Sequence, residues 1–220
     1  MISIDHRALV IGPAARRLPW LALAVTTVVS AVALWARALQ VESTDDLLQV
    51  TRLTSVLMAA GAASCLEDGN ELLTTATPFG RLRRRVLAVS LTGLVTVACW
   101  LIVVVGATVL VDRDGEALPV GGLLIELLAM MAFGWLVAAM LTSRSSWKGS
   151  GMRAGLGVII AALITFSIGA LNRRLWPIRD TGWTAVHERW ITIAVVSMVA
   201  FLVTSRDPAG RLGTLRTRAS

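Results

Sequence analysis

Apolar and polar positions along this chain fall into long blocks, without the short alternation of a half-buried strand or the amphipathic stripe of a soluble helix. Uncharged apolar stretches run from Leu18 to Ala36, from Val86 to Val111 and from Ala154 to Leu171. Each is close to or above the roughly 20 residues a helix needs to cross about 30 Å of hydrocarbon. Three further stretches are interrupted or short. Leu47–Leu66 carries Gln49 and Arg52, and Val120–Leu141 carries Glu126. Ile191–Thr204 is uncharged but short, so it is expected to begin near Trp190 and to draw on Ala185–Arg189. The pattern predicts an all-α, polytopic membrane protein with six spans, at about 18–36, 47–66, 86–111, 120–141, 154–171 and 190–204.

The distribution of basic residues orients these spans. With the N-terminus in the cytoplasm, the inner segments hold Arg7, Arg16, Arg17, Arg81, Arg83, Arg84, Arg85, Arg144, Lys148, Arg153, Arg206, Arg211, Arg216 and Arg218. The outer side holds half as many: Arg37, Arg52, Arg113, Arg173, Arg174, Arg179 and Arg189. Cytoplasmic loops are enriched in Lys and Arg, so both termini are expected inside, with residues 1–17 as a cytoplasmic or interfacial lead and 205–220 as a basic tail. Trp35 and Arg37 spoil a signal-peptidase site after the first span, which is therefore expected to stay uncleaved.

Composition adds exclusions. The chain is 55% hydrophobic and only 16% charged, with a net charge of +7, which places it well on the lipid side of a soluble enzyme. Lys148 is the sole lysine and follows Trp147, whereas a Walker A loop needs glycine directly before its lysine. No cofactor or metal is expected in this chain. His6 and His187 form no H-E-x-x-H motif and read as exposed loop residues. Ser150 is expected inside and His187 outside, which removes a serine–histidine pair. Cys65 and Cys99 lie in apolar stretches and read as small buried hydrophobes.

Between the second and third spans, residues 67–85 predict a short surface helix. Asp68 caps it, Glu71 follows at capping-box spacing, and Pro78 ends it. Leu72 and Leu73 give it an apolar edge that cannot stand alone in water. This sequence, Glu67-Asp68 followed by Glu71-Leu72-Leu73, Pro78 and Arg81 to Arg85, resembles the coupling loop of ATP-binding-cassette type-2 permeases of the short actinobacterial kind. The resemblance implies a six-helix exporter half in a bacterial plasma membrane. It also implies a separate nucleotide-binding ATPase subunit, carrying ATP and Mg, that docks on Glu67, Asp68, Glu71, Leu72, Leu73, Pro78 and Arg81. A second permease subunit, the same or related, would complete the pathway in contact with membrane lipids; no nucleic acid is expected. Alternatively the arginines only follow the charge rule and touch anionic lipid. A second reading of the whole chain is a non-transporting membrane scaffold or sensor subunit that anchors a partner ATPase or other protein. A lipid-acting intramembrane enzyme is a third reading without a catalytic constellation.

Three further features are candidates. Arg52 and Glu126 are intramembrane charges, which mark function by default. At 1.5 Å per residue they lie about 7 Å and 9 Å below the outer ends of their spans, so either they pair, or Arg52 snorkels outward and Glu126 is neutral or bonded to backbone. Gly61 and Ala63 in the second span, and Gly155 and Gly157 in the fifth, permit close helix contact, within the chain or between permease halves. Trp176, Trp183 and Trp190 recur every seven residues, either as an interfacial belt or as part of a re-entrant hairpin. Residues 1–17, broken at Gly12-Pro13, are expected to form an elbow helix if the family pattern holds.

Overall fold

The computed structural model describes residues 20–40, 44–66, 81–111, 118–144, 149–168, 175–176 and 183–206. They form six long helices, with no strand among the described residues: α1 (Trp20–Ala38), α2 (Thr44–Ser64), α3 (Arg81–Val111), α4 (Val120–Arg144), α5 (Ser150–Ser167) and α6 (Trp183–Thr204). Five of the six, all but α2, are long and apolar enough to cross a membrane. Large hydrophobic side chains crowd their outer faces, including Leu21, Val25, Val28 and Val32 on α1, Ile102 and Val109 on α3, and Val195 and Val199 on α6. A soluble domain would hide them; a membrane protein presents them to lipid.

The least apolar helix is the most enclosed. α2 packs against α1, α3, α4 and α5, and between Leu47 and Cys65 only Leu53 is exposed. Protein neighbours on all sides relieve α2 of the need to be apolar, provided its polar groups are bonded. They are. Thr51 donates to the Leu47 carbonyl at 2.8 Å, Thr54 and Ser55 donate to the Thr51 carbonyl at 2.7 and 2.9 Å, and Trp100 of α3 donates its indole N–H to Ser55 Oγ at 2.9 Å.

Neighbouring contacts fix the directions of the helices. Arg85 in the second turn of α3 donates to Thr142 near the end of α4. Gly155 in α5 faces Ala60 and Ser64 near the end of α2, and Gly61 of α2 faces Thr26 near the start of α1. The first turns of α4 and α6 meet where Gly122 lies against Trp183 and His187. Even-numbered helices therefore run one way and odd-numbered helices the other.

Several boundaries differ from the sequence expectation. α3 begins at Arg81, so residues 81–85 are helical and not part of a connecting loop. Arginine is a good helix former, and 31 residues give α3 a length of about 46 Å, enough to carry its basic first turns beyond about 30 Å of hydrocarbon. Arg85 is nonetheless buried, with α4 covering it. α6 begins at Trp183, seven residues before the expected start, because Trp183, Val186, His187 and Trp190 form one inward stripe at helical spacing. α5 runs 150–167 where 154–171 was expected; its small leading residues Ser150 and Gly151 are buried. Glu67, Asp68, Glu71, Leu72, Leu73 and Pro78 lie outside the described residues, as do residues 1–17 and nearly all of 205–220.

Candidate functional site

The polar centre of the molecule lies where the N-terminal halves of α2, α4 and α6 meet. Arg52 sits on the face of α2 turned toward α4, one residue after Thr51. Glu126 sits two turns into α4. The guanidinium grips the carboxylate side-on: Nε donates to Oε2 at 3.1 Å and Nη2 donates to Oε1 at 3.1 Å. Both side chains are 0% exposed. Parallel bonds of this kind are the strongest geometry available to an arginine–carboxylate pair. Of the two arrangements open to these residues on sequence grounds, the structure has the pair.

Aromatic rings close the site around the arginine. Trp176 and Trp183 place their rings 5.6 and 5.8 Å from the guanidinium carbon, within range of a cation–π attraction worth about 2 kcal/mol where water is excluded. Trp176 is itself wedged between helices. It stacks on Phe166 of α5 with centroids 4.3 Å apart, meets Trp190 of α6 edge-on at 5.0 Å, and donates its N–H to Thr165 Oγ1 at 3.2 Å. Trp190 in turn donates to the Leu175 carbonyl at 2.8 Å. An apolar cavity of about 170 Å³ adjoins this wedge, floored by Met130 and Phe133 and walled by Val158, Trp190 and Ile193. The interfacial-belt reading is thus corrected for Trp176 and Trp190, which are buried with each indole bonded to a polar partner inside the bundle, whereas Trp183 is half-buried at the start of α6.

A third ionisable group completes the cluster. His187 is buried, not exposed in a loop as its sequence context suggested, and its Nε2 lies 3.6 Å from Glu126 Oε1. Its Nδ1 lies 2.6 Å from the Trp183 carbonyl, and its ring packs on the Trp183 indole at 4.3 Å. Gly122 makes room for both: a Cβ there would fall 2.5 Å from His187 Nε2 and 2.5 Å from Trp183 Cζ2. The sequence signal for His187 was present in its spacing from Trp183 and Trp190, but only with α6 extended to Trp183 does that spacing become one helical face. Ser150 opens α5 at the opposite end of the bundle from His187.

The small residues are taken up by packing within the chain. A Cβ on Gly61 would lie 2.2 Å from Thr26 Oγ1, and one on Gly155 would lie 2.8 Å from the Ala60 carbonyl oxygen. Ala63 lies against Gly134, where a Cβ would fall 2.9 Å from its own. Gly157 faces Val137 at an ordinary 3.6 Å. Gly61, Ala63 and Gly155 are therefore buried intrachain contacts, unable to carry a contact between subunits. Cys65 is buried and Cys99 half-buried, and the two are not joined in a disulfide.

Chemically, the site is a fixed charge pair with a histidine at its edge, sealed by tryptophan. No family model, characterised protein or solved structure matches this chain.

Proposed function

We propose that this chain is the membrane subunit of an ATP-driven exporter of the ATP-binding-cassette type-2 kind. It crosses a bacterial plasma membrane six times, with both ends in the cytoplasm. The observation that carries the reading is the position of α2. Too polar to count as a span by composition, it is enclosed by four helices that are each apolar enough to cross, so we infer that it crosses with them. An even number of crossings follows. The chain ends and the 67–80 segment then leave from one side of the bundle, the side that carries Arg83, Arg84 and Arg85.

On this reading the ATPase subunit, holding ATP and Mg, engages Glu71, Leu72 and Leu73 and drives the helices between inward- and outward-open arrangements. The second permease subunit contacts outward apolar residues, such as Leu156 and Ile160 of α5, which are exposed. The buried Arg52–Glu126 pair braces α2 against α4, so that force entering at the cytoplasmic end of α2 is transmitted to the outer end of α4.

The test is co-expression with a candidate ATPase subunit. The wild-type chain is expected to co-purify with it and to stimulate its ATP hydrolysis, whereas Leu72→Asp with Leu73→Asp loses both while the chain remains folded. Co-purification unchanged by the double variant refutes docking through this loop. Binding without stimulated hydrolysis favours the scaffold reading instead.

A further inference from the structure

His187 is held in a geometry that leaves one proton undecided. Its Nδ1 lies 2.6 Å from the Trp183 carbonyl oxygen, and a carbonyl only accepts, so Nδ1 carries a hydrogen. In a neutral imidazole Nε2 then presents a lone pair. That lone pair faces Glu126 Oε1 at 3.6 Å, and Nε2 is buried without a hydrogen-bond partner among the described residues. Two acceptors facing each other in a buried site is an unfavourable arrangement that one added proton converts into a charge-assisted hydrogen bond.

We propose that His187 and Glu126 form a proton-binding site within the membrane-spanning bundle. Occupancy consists of one N–H bond: Nε2 takes a proton from water or a buffer acid and donates it to Oε1. With the arginine and carboxylate already paired, the empty cluster is neutral and the occupied one carries a single positive charge. The Trp183 ring, 4.3 Å from the imidazole, supplies a face for that charge. Among the described residues, the charged groups facing His187 are Glu126 of α4 and Arg52 of α2. On α6 itself the neighbouring Glu188 and Arg189 are exposed, and the Arg37–Asp46 pair at this end of the bundle is also largely exposed. Uptake closes the 3.6 Å separation to about 2.8 Å and draws the start of α6 onto α4, so proton occupancy biases how these two helices pack.

This inference does not rest on the exporter reading and is tested on the chain alone. The protein has two histidines, so His6→Asn leaves His187 as the sole imidazole. The full chain, labelled with ¹⁵N-histidine in lipid nanodiscs, is titrated over about pH 5 to 8, the range histidine samples. Nδ1 is expected to stay protonated throughout, while Nε2 gains its proton as the pH falls. Glu126→Gln moves that midpoint by at least tenfold in proton concentration. An imidazole that keeps a single proton over the whole range, or a midpoint untouched by Glu126→Gln, overturns the proposal. If Glu126→Gln does not fold, the readout becomes tryptophan emission, quenched by the imidazolium packed against Trp183. A pH dependence abolished by His187→Gln supports the site, and one identical in His187→Gln refutes it.

Discussion

The Trp176 ring lies 5.6 Å from the Arg52 guanidinium carbon, so a residue outside the six long helices covers the charge at the centre of α2. Removing it opens the cluster from the side of the apolar cavity. Trp176→Ala is expected to destabilise the chain by about 3–5 kcal/mol, the range for a buried tryptophan. Trp176→Phe keeps most of the packing and forfeits the bond to Thr165, at about 1 kcal/mol. Unfolding of the purified chain in mixed micelles separates the two; equal effects would show that Trp176 does not pack in the bundle.

The charge pair predicts non-additivity. Arg52→Leu or Glu126→Leu alone strands a buried charge and is expected to cost about 3–5 kcal/mol. The double leucine variant leaves no stranded charge and should unfold at least about 1 kcal/mol later than either single variant. Additive losses in the same unfolding assay would mean that the two side chains do not interact.

Gly155 and Gly157, two residues apart on α5, are expected to respond oppositely. A methyl on Gly155 meets the Ala60 carbonyl oxygen at 2.8 Å, and helix backbone cannot rotate aside, so Gly155→Ala should destabilise by about 1–3 kcal/mol. At Gly157 the nearest atom is 3.6 Å away, and Gly157→Ala should be neutral or slightly stabilising, since alanine is the better helix former. Thermal unfolding of the two variants side by side decides this.

Gly122→Ala tests the junction of α4 and α6. Its methyl displaces His187 or Trp183, both of which end 2.5 Å from it. Because these are side chains, the fold should survive with a loss of about 1–3 kcal/mol, while tryptophan emission changes as the His187–Trp183 ring contact is broken. Wild-type emission in this variant would place Trp183 elsewhere.

Much of this molecule was legible in its sequence because the signal is local. A run such as Val86–Val111 announces a lipid-facing helix through its own composition, whatever surrounds it. Arg52 and Glu126 stood out for the same reason, as charges inside apolar stretches, and counting residues inward from the ends of their spans brought them to matching depth. The surrounding fold decided what local reading could not. Depth gives one coordinate, but contact also requires that each helix be turned to a particular angle about its axis, and that angle is set by packing against every neighbour at once. So the sequence could nominate Arg52 and Glu126 but not the rings of Trp176 and Trp183 over them, nor His187 beside the carboxylate, because α6 had to reach back to Trp183 before those side chains shared a face. The small residues follow the same logic: their size announced close packing, and only the assembled bundle assigned Gly61 to α1, Ala63 to α4 and Gly155 to α2.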